Sequence, residues 1–305
     1  MTLVADTRCP VCGGERLRDL WICQDRLTRR GSFTVCVCES CAFRFTNPYP
    51  PQEEIGVFYE SEDYVPVSNT SKGLINKGYH LARRVMLRAK RAMVCRLARR
   101  ASGRLLDIGC GTGEFAGTMQ AAGWEVQGIE PHAAARESAR SRFGVPVADV
   151  AEQKALPDQA YDVITLWHVL EHAHDVNRSF RELDRLLAPG GTVLIGVPNY
   201  TSYDAVFYRD KWAAYDTPRH LYHFEPDTMR RLAAKHGFEV AALRPLLFDP
   251  LYIPLLTEKE REDRSWLRGL CVAAASFAVS LAHPERCTAI AYALRRAGGK
   301  GEEAP

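Results

Sequence analysis

RLLDIGCGTGEF, residues 104–115, runs from a short apolar stretch into three closely spaced glycines and then into an amphipathic segment. An apolar run of this length suits a buried parallel strand. Glycines at 109, 111 and 113 mark a turn whose surface is backbone rather than side chain. Phe115 and Met119 lie four apart, as on one face of a following helix, and Gly123 is placed to stop it. Strand, glycine turn and helix in this order hold nucleotides, and the residues around the glycines decide which kind. A Walker A loop needs Gly-Lys-Ser/Thr, whereas this loop ends in Gly113-Glu114-Phe115. A dinucleotide fingerprint needs GxGxxG. Counted from Gly109, its third glycine falls on Glu114, a bulky carboxylate where a helix must pack closely on a strand.

The remaining pattern is Gly109-x-Gly111-x-Gly113, with Asp107 at the strand end and a second carboxylate near the helix start. That arrangement favours a ligand with a positive centre and no phosphate. S-adenosylmethionine fits, with a sulfonium, an α-ammonium and a ribose. Downstream, short apolar runs alternate with amphipathic ones. WEVQGIE (124–130), VPVAD (145–149), YDVITLWHV (161–169) and TVLIGVP (192–198) read as further strands. FEVAALRPLLF (238–248) and TAIAYALRR (288–296) read as the last two. Val176, Phe180, Leu183 and Leu187 form a helical stripe expected to stop at Pro189-Gly190-Gly191, and Pro226 and Gly237 bracket another helix. This alternation predicts a doubly wound α/β sheet.

LLDIGCGTGEF resembles the first motif of the class I S-adenosylmethionine-dependent methyltransferases. GIE (128–130), VADV (147–150), YDVITLWHVLEH (161–172) and LLAPGGTVLIGVPN (186–199) resemble four more of that family's motifs, in order. The resemblance spans roughly residues 100–248. It implies a seven-stranded Rossmann-like sheet whose last strand is antiparallel, and S-adenosylmethionine as cofactor. It assigns the cofactor to Asp107, Gly109, Cys110, Gly111 and Gly113, then Glu130 and Pro131, then Asp149 and Val150. Trp167, His168 and Glu171 complete the set. Glu130 would accept from both ribose hydroxyls, a task suited to a carboxylate; Asp149 would accept from the adenine amino group, with Val150 as apolar contact. The acceptor chemistry is expected in TPRHLYHFEP (217–226), with His220 the preferred base, His223 the second choice and Tyr222 beside them. Tyr59, Tyr64 and Tyr79 are candidates for an acceptor lid.

Six of the ten cysteines fall in the first 41 residues. Cys9-Pro-Val-Cys12 and Cys38-Glu-Ser-Cys41, separated by 25 residues, supply four thiolates to one tetrahedral ion. A structural zinc is the expectation, with Cys36 able to replace Cys38 and Cys23 a bystander. With all four positions filled by cysteine, that metal has no place for substrate. Cysteine clusters of this spacing suit a reducing compartment. The N-terminus shows no basic flank followed by an apolar run, so a cytoplasmic location is expected.

The resulting division is a zinc ribbon (1–47), a linker and basic helical segment (48–103), and a methyltransferase domain (104–305). The last contains a helical insertion at 249–287 between its final strands. CESCAFRFTNPYP followed by FYESEDY resembles the front end of a methyltransferase subgroup of the ubiquinone-biosynthesis or sugar C-methyltransferase kind. The substrate it implies is a small molecule or glycan-pathway intermediate, whether sugar, quinone or lipid-linked, methylated on oxygen or carbon. Net charge is only +3, yet residues 77–104 hold ten Lys/Arg and no Asp/Glu. That stretch and WLRGLCVAAASFAVSLA (266–282), marginal as a membrane span at 17 residues, are candidates for peripheral contact with the inner membrane face. The ribbon and the basic stretch also fit an RNA-modifying enzyme, but the Cys-rich segment lacks interleaved basic and aromatic residues, which argues against nucleic acid. A cofactor-binding protein without catalysis and an NAD-dependent oxidoreductase are the other rivals.

Overall fold

The computed structural model describes residues 2–60 and 74–298, with side chains of the first helix from residue 83 onward. Tyr64 and the side chains of Tyr79 and Lys77 lie outside the described residues. The N-terminal segment forms three antiparallel strands, β1 (Leu17–Gln24), β2 (Ser32–Cys38) and β3 (Arg44–Thr46). After helix α1 (Leu74–Ala98) the alternation begins. β4 (Arg104–Ile108), α2 (Glu114–Gln120), β5 (Glu125–Ile129), α3 (Ala133–Phe143), β6 (Val147–Ala148) and β7 (Tyr161–Trp167) follow in turn. Next come α4 (Val176–Leu186), β8 (Leu187–Pro198), α5 (Tyr203–Tyr208), β9 (Tyr222–His223), α6 (Pro226–Lys235) and β10 (Phe238–Pro245). Helices α7 (Asp249–Glu260) and α8 (Trp266–Ala282) fill the predicted insertion before β11 (Ala289–Arg296).

Seven strands form one sheet in the order β10-β11-β8-β7-β4-β5-β6, mixed, with the last strand antiparallel. β4 runs parallel to both β5 and β7. Chain order reverses between β4 and β7, and in sheets of this class ligands bind beyond the strand ends at such a switch point. Leu105 and Leu106 are fully buried, as a central strand covered on both faces requires.

Three details depart from the pattern reading. The third strand shrinks to two residues, Val147 and Ala148. Helix α4 ends at Leu186, and Leu187, expected on its stripe, instead begins β8. The cause is Pro189. It has no N–H to offer the Arg185 carbonyl, which accepts from Gln159 instead, while Leu187 O accepts from Arg296 at 2.9 Å.

The third departure is the boundary at 47. The chain clusters into two compact units, neither of which is the ribbon alone. One unit combines the N-terminal segment with 168–180 and 195–292; the other holds α1 to Trp167, 181–194 and the end of β11. In the first unit β3 pairs with β9, extending the N-terminal sheet to four strands in the order β1-β2-β3-β9. Cys23 and Val35 share a core with Tyr200, Tyr208, Trp212, Tyr215 and Val272. The buried Asp25 carboxylate pairs with Arg219 at 3.1 Å. The same core is anchored by Asp204, which accepts from Trp212 Nε1 at 2.7 Å, Ser276 Oγ at 3.1 Å and Thr288 Oγ1 at 2.8 Å.

Among the described residues no helix is long and apolar enough to cross a membrane. α8 nevertheless exposes Trp266, Leu267, Leu270 and Leu281. Part of the basic segment is used internally: Arg83 pairs with Glu114 at 2.7 Å and Arg100 with Asp162 at 3.1 Å.

Candidate active site

In the unit containing β4, the glycine turn has the conformation that its composition demands. Gly109, Gly111 and Gly113 all have positive φ, at 70°, 54° and 82°. The N–H groups of Gly109 and Cys110 both donate to Ile129 O, at 2.7 and 3.1 Å, which folds the turn back over the end of β5. Space around Gly111 is open, whereas a Cβ on Gly113 would lie 2.6 Å from that of Ala139 on α3. Close packing in this loop therefore falls to Gly113, where the dinucleotide fingerprint would put it one residue later. Glu114 is then free to turn outward to Arg83 and Arg142, which with the Thr112 hydroxyl hold its carboxyl below the usual range despite burial. It does not add to the negative potential of the turn as its sequence position suggested.

Glu130, which follows β5, supplies that potential. Its Oε2 accepts from Gly111 N–H at 2.9 Å and its Oε1 from His132 N–H at 3.0 Å. Each oxygen keeps one lone pair, so the carboxylate is oriented without being saturated. Arg136 donates to the carbonyls of Glu130 and Pro131 and pairs with Asp149 at 2.7 Å, tying the β5 and β6 ends together. Asp149 caps the turn that begins at Val150, and Val150 is exposed beside it.

Asp107 is buried at 2% exposure with the Thr165 hydroxyl donating to it at 2.7 Å. Burial, helped by the nearby Glu130 charge, pushes its carboxyl up to about 7. Trp167 stands edge-on to Phe115, and its buried indole N–H has no hydrogen-bond partner. These positions, expected from the sequence to meet the cofactor, lie at or just beyond the C-terminal ends of β4, β5, β6 and β7, while His168 and Glu171, expected with them, belong to the other unit.

The other unit gathers the histidines. His168 has a left-handed backbone, φ 56°, an uncommon conformation for a side-chain-bearing residue. Its Nδ1 lies 3.4 Å from Glu171 and its Nε2 3.5 Å from Asp249. Glu171 and His172 occupy the short 3-10 turn Leu170–His172. His172 and His220 stand edge-on at 4.6 Å between ring centroids. His172 Nδ1 faces Arg219 O at 3.0 Å and the Tyr59 hydroxyl at 3.0 Å; His220 Nδ1 faces Ala214 O at 2.9 Å. Burial, and then the charge of His220, push the His172 imidazolium down to about 4. Burial opposes the Glu171 charge, yet the surrounding histidines hold its carboxyl below the ordinary value.

Glu171, which the sequence places in the cofactor set, and His172 both lie beside His220. Tyr222 and His223 point elsewhere. The Tyr222 hydroxyl donates to His174 O at 3.2 Å, and buried His223 meets the Thr46 hydroxyl at 3.3 Å within the N-terminal sheet. Sequence reasoning also missed Arg219, whose buried guanidinium is shared by Asp25 and Asp216 and braces the loop carrying His220. Only the density of polar residues in 216–223 hinted at it.

In the same unit the four predicted zinc ligands converge. Cys9 and Cys41 sulfurs are 3.6 Å apart, Cys12 and Cys38 sulfurs 3.5 Å, and all four lie within 4.8 Å of one another. A tetrahedral ion with bonds of about 2.3 Å needs sulfur separations of about 3.8 Å, so the residues fit zinc. Cys36 turns to Asp19 and Asn47 O instead, and Cys23 is buried in the core.

A family model described as a methyltransferase domain matches residues 80–243. Over 160 residues the chain is 27% identical to a ubiquinone biosynthesis O-methyltransferase of Azorhizobium caulinodans, covering 48% of this chain and 63% of that protein. It is 28% identical over 164 residues to the ubiquinone biosynthesis O-methyltransferase of Bordetella avium, covering 48% and 67%. A malonyl-[acyl-carrier protein] O-methyltransferase of Serratia marcescens is 32% identical over 133 residues, covering 43% and 51%. The chain thus spans between about half and two thirds of the length of these relatives.

Proposed function

The chain belongs to the methyltransferase-domain family, and from that premise we propose that it moves a methyl group from S-adenosylmethionine to a small molecule or glycan-pathway intermediate. The observation that carries this reading is Glu130: a carboxylate fixed by two backbone donors, with one lone pair left on each oxygen, beside a glycine turn open at Gly111. Two ribose hydroxyls match those two lone pairs. Asp149, held by Arg136, and exposed Val150 would receive the adenine, and the orphan Trp167 N–H offers a further donor. When bound, S-adenosylmethionine supplies a methyl group activated by its sulfonium. The protein's task is to align the acceptor with that carbon and keep water away.

An oxygen or carbon acceptor must also lose a proton. Nδ1 of His220 donates to the Ala214 carbonyl, which leaves Nε2 with the lone pair that can take that proton. The relatives named as O-methyltransferases support oxygen over carbon. They do not extend to the identity of the acceptor.

Isothermal titration with S-adenosylmethionine tests the cofactor half: micromolar binding is expected, and none at millimolar cofactor would defeat the proposal. Quinols and sugar nucleotides, offered separately, test the acceptor half through the S-adenosylhomocysteine each releases. If neither class releases it, the acceptor assignment fails.

A further inference from the structure

We propose that the outward face of α8 is a self-association surface, through which two copies of this chain pair about a two-fold axis with their α8 helices antiparallel. Self-association here stands apart from the methyl-transfer reading and does not depend on it.

A helix on the surface of a globular protein turns its apolar side inward and its polar side to water. α8 does the reverse. Gly269, Ser276 and Ser280 are buried, while Trp266, Leu267, Leu270 and Leu281 are each more than half exposed. The inward arrangement has a structural cause. The Ser276 hydroxyl donates to Asp204 at 3.1 Å and the Ser280 hydroxyl to Ser276 O at 2.7 Å. A Cβ on Gly269 would lie 3.0 Å from Glu258 Cγ on α7. These contacts fix the rotation of the helix and leave its bulky residues outside. The other exposed residues of α8 are one cysteine and three alanines, so its outward face carries no charged side chain. The four large residues together expose on the order of 400 Å², a size at which an apolar patch marks an interaction site.

Two features point to a second copy as the partner. The first is shape. Leu267, Ala274 and Leu281 recur every seven residues with Leu270 between the first two, a seam suited to another helix. Its bulk is uneven, large at the start and small towards the end. An antiparallel pair centred on Ala274 sets Trp266 against the second copy's Ala282 and Leu270 against its Ala278. Large residues then meet small ones at both ends, because each pair in a two-fold contact occurs twice.

The second feature is charge. The same register brings exposed Glu262 toward the second copy's exposed Arg286, again twice. A bilayer is matched less well. Residues 258–268 hold four Asp/Glu and four Lys/Arg, so the flank of this face offers anionic lipid no net positive charge.

Sedimentation equilibrium of the full chain, from low to high micromolar concentration, tests the proposal. A reversible monomer–dimer equilibrium is expected. Leu270→Glu should raise the dissociation constant at least tenfold by burying an unpaired charge, with the melting temperature held because Leu270 is exposed in the single chain. Leu267→Glu serves in its place if that variant does not fold. A short bismaleimide should join two chains through Ala274→Cys in a Cys271→Ser background. It should not join them through Leu267→Cys, which the antiparallel register holds about 20 Å from its counterpart. Wild-type chain that stays monomeric throughout overturns the proposal, as does a dimer indifferent to both glutamate substitutions. Cross-linking through Leu267→Cys as readily as through Ala274→Cys means parallel helices, and overturns it too. A monomer that instead sediments with vesicles of phosphatidylethanolamine and phosphatidylglycerol, and loses this with Leu270→Glu, gives the face to a bilayer and defeats self-association.

Discussion

Asp107→Asn should change how stability depends on pH. Asp107 is 2% exposed and its carboxyl is raised from 3.8 to about 7 by burial, against the opposing Thr165 hydrogen bond. Between these values the folded chain holds a proton there that the unfolded chain has released. Stability therefore falls as pH rises through this window, and levels off above about 7 and below about 4. At about 1.36 kcal/mol per pKa unit, the shift amounts to a loss on the order of 4 kcal/mol across the window. Asparagine mimics the protonated carboxyl and cannot titrate. Its amide oxygen can still accept from Thr165, and any cost of its amino group is independent of pH. Urea unfolding of both proteins without cofactor, from pH 4.5 to 8, isolates the effect because other carboxylates cancel in the difference. The variant should gain on the wild type by several kcal/mol over that range. A difference constant to within about 1 kcal/mol would refute the reasoning.

Four further outcomes are expected. Glu130→Gln should weaken S-adenosylmethionine roughly 10- to 100-fold, the worth of hydrogen bonds to a charged group, with titration calorimetry as the check. Gly113→Ala should destabilise by about 2–4 kcal/mol, since its Cβ would meet Ala139 at 2.6 Å at a φ of 82°, while Gly111→Ala, in open space, should cost about 1–2 kcal/mol; denaturant midpoints will rank them. A zinc held by the four cysteines would contribute its binding energy to folding, so a chelator, or replacing Cys12 by serine, should lower the melting temperature. Asp204→Ala should cost roughly 3–5 kcal/mol in chemical unfolding by stranding Trp212, Ser276 and Thr288, buried donors that the carboxylate now satisfies.

The glycine turn, Glu130 and the two cysteine pairs were legible because their chemistry is local. Positive φ at Gly109, Gly111 and Gly113 belongs to each residue's own backbone, and Cys9 with Cys12 or Cys38 with Cys41 need only a tight knuckle between them. Strands β4, β7 and β11 were equally readable from apolar runs. Leu187 was not, because an apolar residue four after Leu183 satisfies a helix and a strand alike; Pro189, two residues on, decided it through a missing donor.

By itself, then, the sequence determined the sheet class, the glycine turn and the two cysteine pairs, each set by backbone freedom or by residues within one local segment. Tertiary structure alone decided what the histidines do. His220 meets Glu171 and His172 because Leu221 N–H donates to Glu171 O at 2.7 Å and Arg219 O receives His172, contacts that join segments 47 or more residues apart. His223, three residues beyond His220, is carried instead into the N-terminal sheet by pairing with Arg44. Two histidines of one short loop thus receive opposite fates from long-range hydrogen bonds, which leave no periodicity or spacing in the chain to read.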